Sequence, residues 1–168
     1  SFVLYTRDFG LVRARASAVR AEHSKMRYAL QNYACAKAAL VRGKRGWRLA
    51  GAAAIKNAGG DVRGISAFAR ISELVLRLVQ GEGHNEYLYA ALSEAHDALM
   101  VRDCAAWATI EIVCVARVLY SLGYLSAEAL ETALFTHTAY ALPHLEEAAA
   151  LQDKLISSIN KAIAETQL

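Results

Sequence analysis

Leu11-Val-Arg-Ala-Arg-Ala-Ser-Ala18 is the stretch on which the fold turns. Its side chains alternate on a period of two, the period of a strand with one face buried. One face shows Leu11, Arg13, Arg15 and Ser17; the other buries Val12, Ala14, Ala16 and Ala18. A half-buried strand with a basic outer face is expected. Phe2 to Thr6 supplies a partner strand, and Arg7-Asp-Phe-Gly10 the turn between them, because Asp and Gly favour tight turns.

Outward from this hairpin, His23 to Leu30 reads as a basic connector. A second hairpin follows, with Tyr33 to Val41 and Trp47 to Ala53 flanking Arg42-Gly-Lys-Arg-Gly-Trp47. Glycines 43 and 46 bracket two cations, as at a hairpin tip. Alanine is a poor strand former, so helix stays open as an alternative for 34–40.

The period changes near residue 60. Lys56-Asn-Ala-Gly-Gly-Asp-Val-Arg-Gly64 punctuates the chain and marks a boundary. Phe68, Ile71, Val75, Leu78 and Val79 then make a helical stripe over 66–80. Tyr87, Leu88, Ala91, Leu92, Ala95 and Leu99 make another over 85–101. Asp103 is placed as the N-cap of a third helix running to Leu122, stopped by Gly123. Ser126 is placed as the cap of a fourth helix ended by Pro143, and a last helix is expected over about 145–166. The third helix is apolar almost all round, which makes it the centre of a bundle. The expected architecture is α+β: a small β domain over 1–60, then an all-α bundle over 65–168.

Charge divides along the same line. Residues 1–64 carry thirteen Lys and Arg against three acids, whereas the remainder carries six against thirteen. The net charge of +3 for the whole chain conceals a basic segment joined to an acidic one. Sequence charge speaks to partners rather than to fold, and a compact basic segment suits a polyanion. The candidate nucleic-acid contacts are Arg13, Arg15, Arg20, Lys25, Arg27, Arg42, Lys44, Arg45 and Arg48, with Trp47 as the aromatic best placed to stack on a base. Tyr28 and Tyr33 also lie among these cations. The plainer reading of such a run is a solvated surface, against which stands the shortage of acids to pair with it.

Catalytic patterns are missing. Cys35, Cys104 and Cys114 form no CxxC pair, and the five histidines show no HExxH or HxxxH spacing, so neither a zinc site nor a metalloprotease site is expected. No GxxxxGK[ST] motif exists. Adjacent carboxylates occur at Glu146-Glu147, where a helix start explains them. The expectation is a non-enzymatic protein without cofactor. The most apolar window, 105–125, contains Glu111 and Arg117, and a charge at a helix centre costs about 3 kcal/mol on insertion scales. A membrane span is therefore not expected. With no secretory pattern at SFVLYTRDFG, a soluble cytoplasmic protein is.

Five pieces of the chain carry a resemblance. They are Phe-Val-Leu-Tyr-Thr-Arg-Asp-Phe-Gly-Leu-Val-Arg-Ala (2–14), Ser-Lys-Met-Arg-Tyr-Ala-Leu-Gln (24–31), Arg-Ile-Ser-Glu-Leu-Val-Leu-Arg-Leu-Val (70–79), Asn-Glu-Tyr-Leu-Tyr (85–89) and Leu-Gly-Tyr-Leu (122–125). In this order and spacing the chain resembles the bacterial RecO family of recombination and repair mediators. The resemblance implies an N-terminal OB-fold and a C-terminal helical domain. It implies binding to single- and double-stranded DNA, annealing of complementary strands, and docking of the acidic tail of the single-stranded-DNA-binding protein. It also implies work with RecR-like and RecA-like proteins to load recombinase. Arg102 and Arg117, flanking the central helix, are the residues assigned to the acidic tail.

The chain departs from the family in two ways. An OB-fold has five strands, and the family's opening strand has no counterpart before Phe2; the chain is either a fragment or a barrel completed in another way. The four-cysteine zinc site of some members is absent, so zinc is not carried over. Two other readings stay open: an RNA-binding OB module, and a protein–protein adaptor whose basic segment meets an acidic partner.

Overall fold

The computed structural model describes residues 1–16, 26–101 and 104–166. The chain forms two compact units. The first comprises residues 1–59 together with 81–84, and the second 60–80 with 85–168. The class is α+β, a four-stranded sheet followed by helices.

In the first unit, β1 (Phe2–Thr6) and β2 (Gly10–Arg15) form the first hairpin. Its turn is held by the Thr6 hydroxyl, which accepts from the Phe9 amide at 3.1 Å and donates to the Gly10 carbonyl at 3.1 Å. A single turn of helix, α1 (Met26–Ala29), precedes β3 (Cys35–Gly43) and β4 (Gly46–Lys56). Of residues 34–40, which the sequence leaves open to helix, 35–40 thus lie in β3. Their alanines form a strand because β4 pairs with them along most of its length, and tertiary pairing outweighs the weak intrinsic preference of alanine.

The sheet order is β1-β2-β4-β3. Both hairpins are antiparallel, but β2 meets β4 in parallel, with Ala14 opposite Trp47 and Arg15 opposite Arg48. Val12, Ala14 and Leu49 form the buried core of the unit, with Leu4, Leu30, Ala38, Leu40, Trp47 and Ala52 packed around it. The residues between them on β2, Arg13 and Arg15, are exposed. Leu11, assigned by alternation to the open face, is buried instead. Backbone 81–84 lies against Gly10, which has φ +64 and whose missing side chain leaves room for the Gly83 peptide.

In the second unit, α2 (Val62–Leu78) is capped by Asp61, whose carboxylate accepts from the Arg63 amide at 2.8 Å. Asn85 caps α3 (Glu86–Leu99) by accepting from the Leu88 amide at 2.9 Å. α2 approaches α3 so closely that a Cβ on Gly64 would collide with the Leu99 carbonyl. The central helix is α4 (Trp107–Ser121), packed against α2, α3 and two C-terminal helices, α5 (Leu142–Ala150) and α6 (Gln152–Glu165).

Three expectations are corrected here. The central helix starts at Trp107, with Ala106 as its N-cap; Asp103 lies outside the described residues. No fourth helix runs from Ser126 to Pro143: a short 3₁₀ turn, Glu128–Leu130, gives way to irregular chain. Pro143 opens α5 instead of ending a helix, because its missing N–H and fixed φ suit a first turn. The single C-terminal helix expected over 145–166 is divided at Leu151 into α5 and α6.

Candidate nucleic-acid interface

Register places the cations of the first unit. Arg13 and Arg15 alternate with the buried Val12 and Ala14 and are exposed. Arg48 is the register partner of Arg15 on one side and of Val41 on the other, and it too is exposed. These three arginines therefore share one open face of the sheet. Among the described residues no carboxylate pairs with any of them. Lys37, which the sequence reading did not single out, is exposed between the half-buried Ala36 and Ala38 of β3. Alternation in Cys35–Leu40, the same signal that picked out Arg13 and Arg15, could have found it.

Lys44 and Arg45 form the exposed two-residue turn between Gly43 and Gly46, where φ of +93 at Gly46 closes the hairpin. Arg27 is exposed on α1. Beside it Tyr28 is 69% exposed, the most open aromatic ring among the large exposed hydrophobics. Arg20 and Lys25 lie outside the described residues, as does Arg102.

Trp47 and Arg42 sit at the end of the sheet and are committed to neighbours. The Trp47 indole N–H donates to Glu82 Oε1 at 2.7 Å, and Arg42 Nη1 donates to Glu82 Oε2 at 3.0 Å. The Arg42 guanidinium lies over the indole, 5.3 Å from its centroid, and Phe9 packs against the ring at 4.9 Å. Trp47 also borders the core of the unit. Stacking a base on this ring requires the cover to move. Among the described residues Tyr28 has no such cover; the sequence places it below Trp47 because adjacency to the hairpin is the signal there.

Arg117 belongs to the interior of the second unit. It is fully buried on α4, its Nε donating to the Leu134 carbonyl at 3.0 Å and its Nη1 to the Thr138 carbonyl at 2.8 Å. Nη2 donates to His137 Nδ1 at 3.3 Å, and Tyr140 lies under the guanidinium at 4.6 Å. All three guanidinium nitrogens donate inside the chain and the side chain is fully buried, so Arg117 is removed as a docking residue for an acidic tail. Arg70 is spent as well, in a two-point bond to Glu111 at 2.6 and 2.7 Å. The other exposed cations of this unit's described helices are Arg63, paired with Asp61, and Arg77, Lys154 and Lys161.

Burial shifts several groups of the second unit. Desolvation pushes the Cys114 thiol up to about 11, so it is protonated at neutral pH. Tyr140 is raised well above the usual tyrosine range by the same cause, and its hydroxyl donates to the Ala91 carbonyl at 3.2 Å. His137 is lowered by burial, then by His144 and Arg117. Among the described residues no group of three His, Cys, Asp or Glu side chains converges to hold a metal ion. Likewise no described helix is long and apolar enough to cross a membrane. No protein-family model matches the chain, and the search of curated proteins found no match either.

Proposed function

We propose that this protein is a non-enzymatic DNA-binding mediator of recombination and repair whose first unit contacts the nucleic-acid backbone. The observation that carries the reading is the shared exposed face of Arg13, Arg15 and Arg48, three cations lacking carboxylate partners among the described residues. A row of guanidinium groups neutralises phosphates and releases counterions, which supplies affinity without base selectivity.

The strand order supports an OB-like arrangement. In an OB-fold the third and fifth strands run parallel, and a helix joins the third strand to the fourth. Here β2 and β4 are the parallel pair, and α1 lies between β2 and β3. Under this assignment β1 and β2 stand for the second and third strands, and Lys44-Arg45 forms the loop between the fourth and fifth. Those are the surfaces on which OB-folds hold oligonucleotides. The basic face then falls where a strand would lie.

Annealing follows from the same chemistry. Two anionic backbones repel each other, and a cationic face that offsets the repulsion brings them together without a covalent step. The second unit, rich in acids, would dock protein partners: the tail of the single-stranded-DNA-binding protein and RecR-like and RecA-like proteins, as the resemblance implies. With Arg117 buried, an acidic tail would have to use other cations.

Fluorescence anisotropy of a labelled single-stranded oligonucleotide, followed from low to moderate salt, tests the proposal. Neutralising about six phosphates predicts a log–log slope near −4 for single strands. Absence of binding at the lowest salt would sink the DNA reading and favour the adaptor; tighter binding to RNA of the same sequence would favour the RNA module.

A further inference from the structure

The end of the β3–β4 hairpin is an anion site already filled by a carboxylate. Two donors converge there, the Trp47 indole N–H at 2.7 Å and Arg42 Nη1 at 3.0 Å, and each takes a different oxygen of Glu82. A nucleic-acid phosphate offers the same pair of acceptor oxygens to the same donors. Glu82 arrives on a short segment, 81–84, that lies outside any helix, and Gly81 has φ +78. The segment is held on the first unit by the Gly83 amide, which donates to the Phe9 carbonyl at 3.0 Å, and by His84 Nδ1, 2.9 Å from the Arg7 carbonyl.

We propose that Glu82 is an internal competitor for nucleic acid: its carboxylate holds the place of one backbone phosphate on Arg42 and Trp47, and a bound strand displaces it. This inference rests on the DNA-binding reading of the first unit. The exchange is cheap because both partners are wet, with side chains 68% exposed for Arg42 and 39% for Glu82. Ion pairs in that setting contribute little, so a phosphate can take over the two donors at small cost. Displacement would also free the indole edge beside the cationic turn of Lys44 and Arg45. Glu82 thereby sets a threshold, with weak or transient anions excluded and a continuous strand admitted.

The test compares Glu82→Gln with the parent chain, both carrying Trp107→Phe so that Trp47 is the sole indole. Glutamine keeps the shape and an acceptor for the indole while removing the charge that Arg42 sees. Asp8→Asn serves as the control, being an exposed acid in the turn of the first hairpin whose removal changes net charge equally. The probe is a labelled single-stranded oligonucleotide at low salt. Glu82→Gln should tighten binding about two- to fivefold, Asp8→Asn by less than half that gain, and Trp47 emission of the parent should shift on binding. Equal gains for the two variants would reduce the effect to bulk charge and overturn the inference. So would an unchanged affinity for Glu82→Gln in a parent that binds, and this outcome leaves the DNA-binding reading intact. Binding by neither protein overturns both.

Discussion

Arg15 and Arg48 are register partners across the parallel pairing of β2 with β4, two exposed arginines side by side on the same face of one sheet. Neighbouring strands lie about 4.8 Å apart, and like charges directly opposite in a sheet are destabilising. Such a pairing costs the free protein something and benefits a complex in which phosphates lie between the guanidinium groups.

Replacing both arginines, Arg15→Ala with Arg48→Ala, should therefore weaken oligonucleotide binding and flatten its salt dependence together. Two lost phosphate contacts reduce the slope by about 1.4 for single strands. Anisotropy titrations at several salt concentrations measure it. Urea melts of the same variant should show stability unchanged or slightly raised.

Arg117→Ala should be severely destabilising. The substitution empties a buried volume and orphans the Leu134 and Thr138 carbonyls together, which amounts to about 3–5 kcal/mol. Chemical denaturation followed by circular dichroism is the check. A cost under about 1 kcal/mol would mean that water replaces the guanidinium easily.

Acid should loosen the second unit through His137. Its Nδ1 accepts from Arg117, and its ring lies 3.8 Å from that of His144, so protonation breaks a bond and sets a second cation beside the Arg117 guanidinium. Glu147 and Glu94 act in the opposite sense but more weakly. Because the folded chain holds the His137 proton less readily than the unfolded chain, the unfolded state gains protons first as pH falls. The contribution is fully present above the ordinary value of 6.5 and is lost progressively below it. Urea midpoints at about pH 7.5 and about pH 5.5 should differ in that direction, and His137→Asn should shrink the difference.

Gly10→Ala should disturb segment 81–84 without abolishing the hairpin. An L-residue at φ +64 is strained by about 1–2 kcal/mol, and the added methyl meets the Gly83 backbone. Hydrogen exchange at the Gly83 amide, which donates to the Phe9 carbonyl, should accelerate more than exchange within β3 and β4.

Much of the first unit was legible because period-two alternation and paired glycines are local signals. Gly43 and Gly46 marked the second turn, and the alternation at Val12, Arg13, Ala14 and Arg15 marked the basic face. The chain between Ser126 and Pro143 was misread for a reason that is not local. The carbonyls of Leu134 and Thr138 are taken by Arg117, and the Thr132 and Thr136 hydroxyls bond nearby groups, so this stretch serves a buried cation instead of its own helical ladder. Arg117 looked available for the same reason, since a charged residue on an apolar helix declares no partner in sequence. Trp47 shares the problem, because its acceptor, Glu82, lies far along the chain.

The parallel seam also sets the order of events when the chain acquires its shape. Each hairpin closes over a few residues, whereas pairing Ala14 with Trp47 and Arg15 with Arg48 must wait for distant stretches to meet. The seam is therefore expected to close after the hairpins, and it brings two positive charges together as it does so. Added salt, by screening that repulsion, should speed assembly of the sheet, while the same salt should weaken any polyanion binding by the finished face.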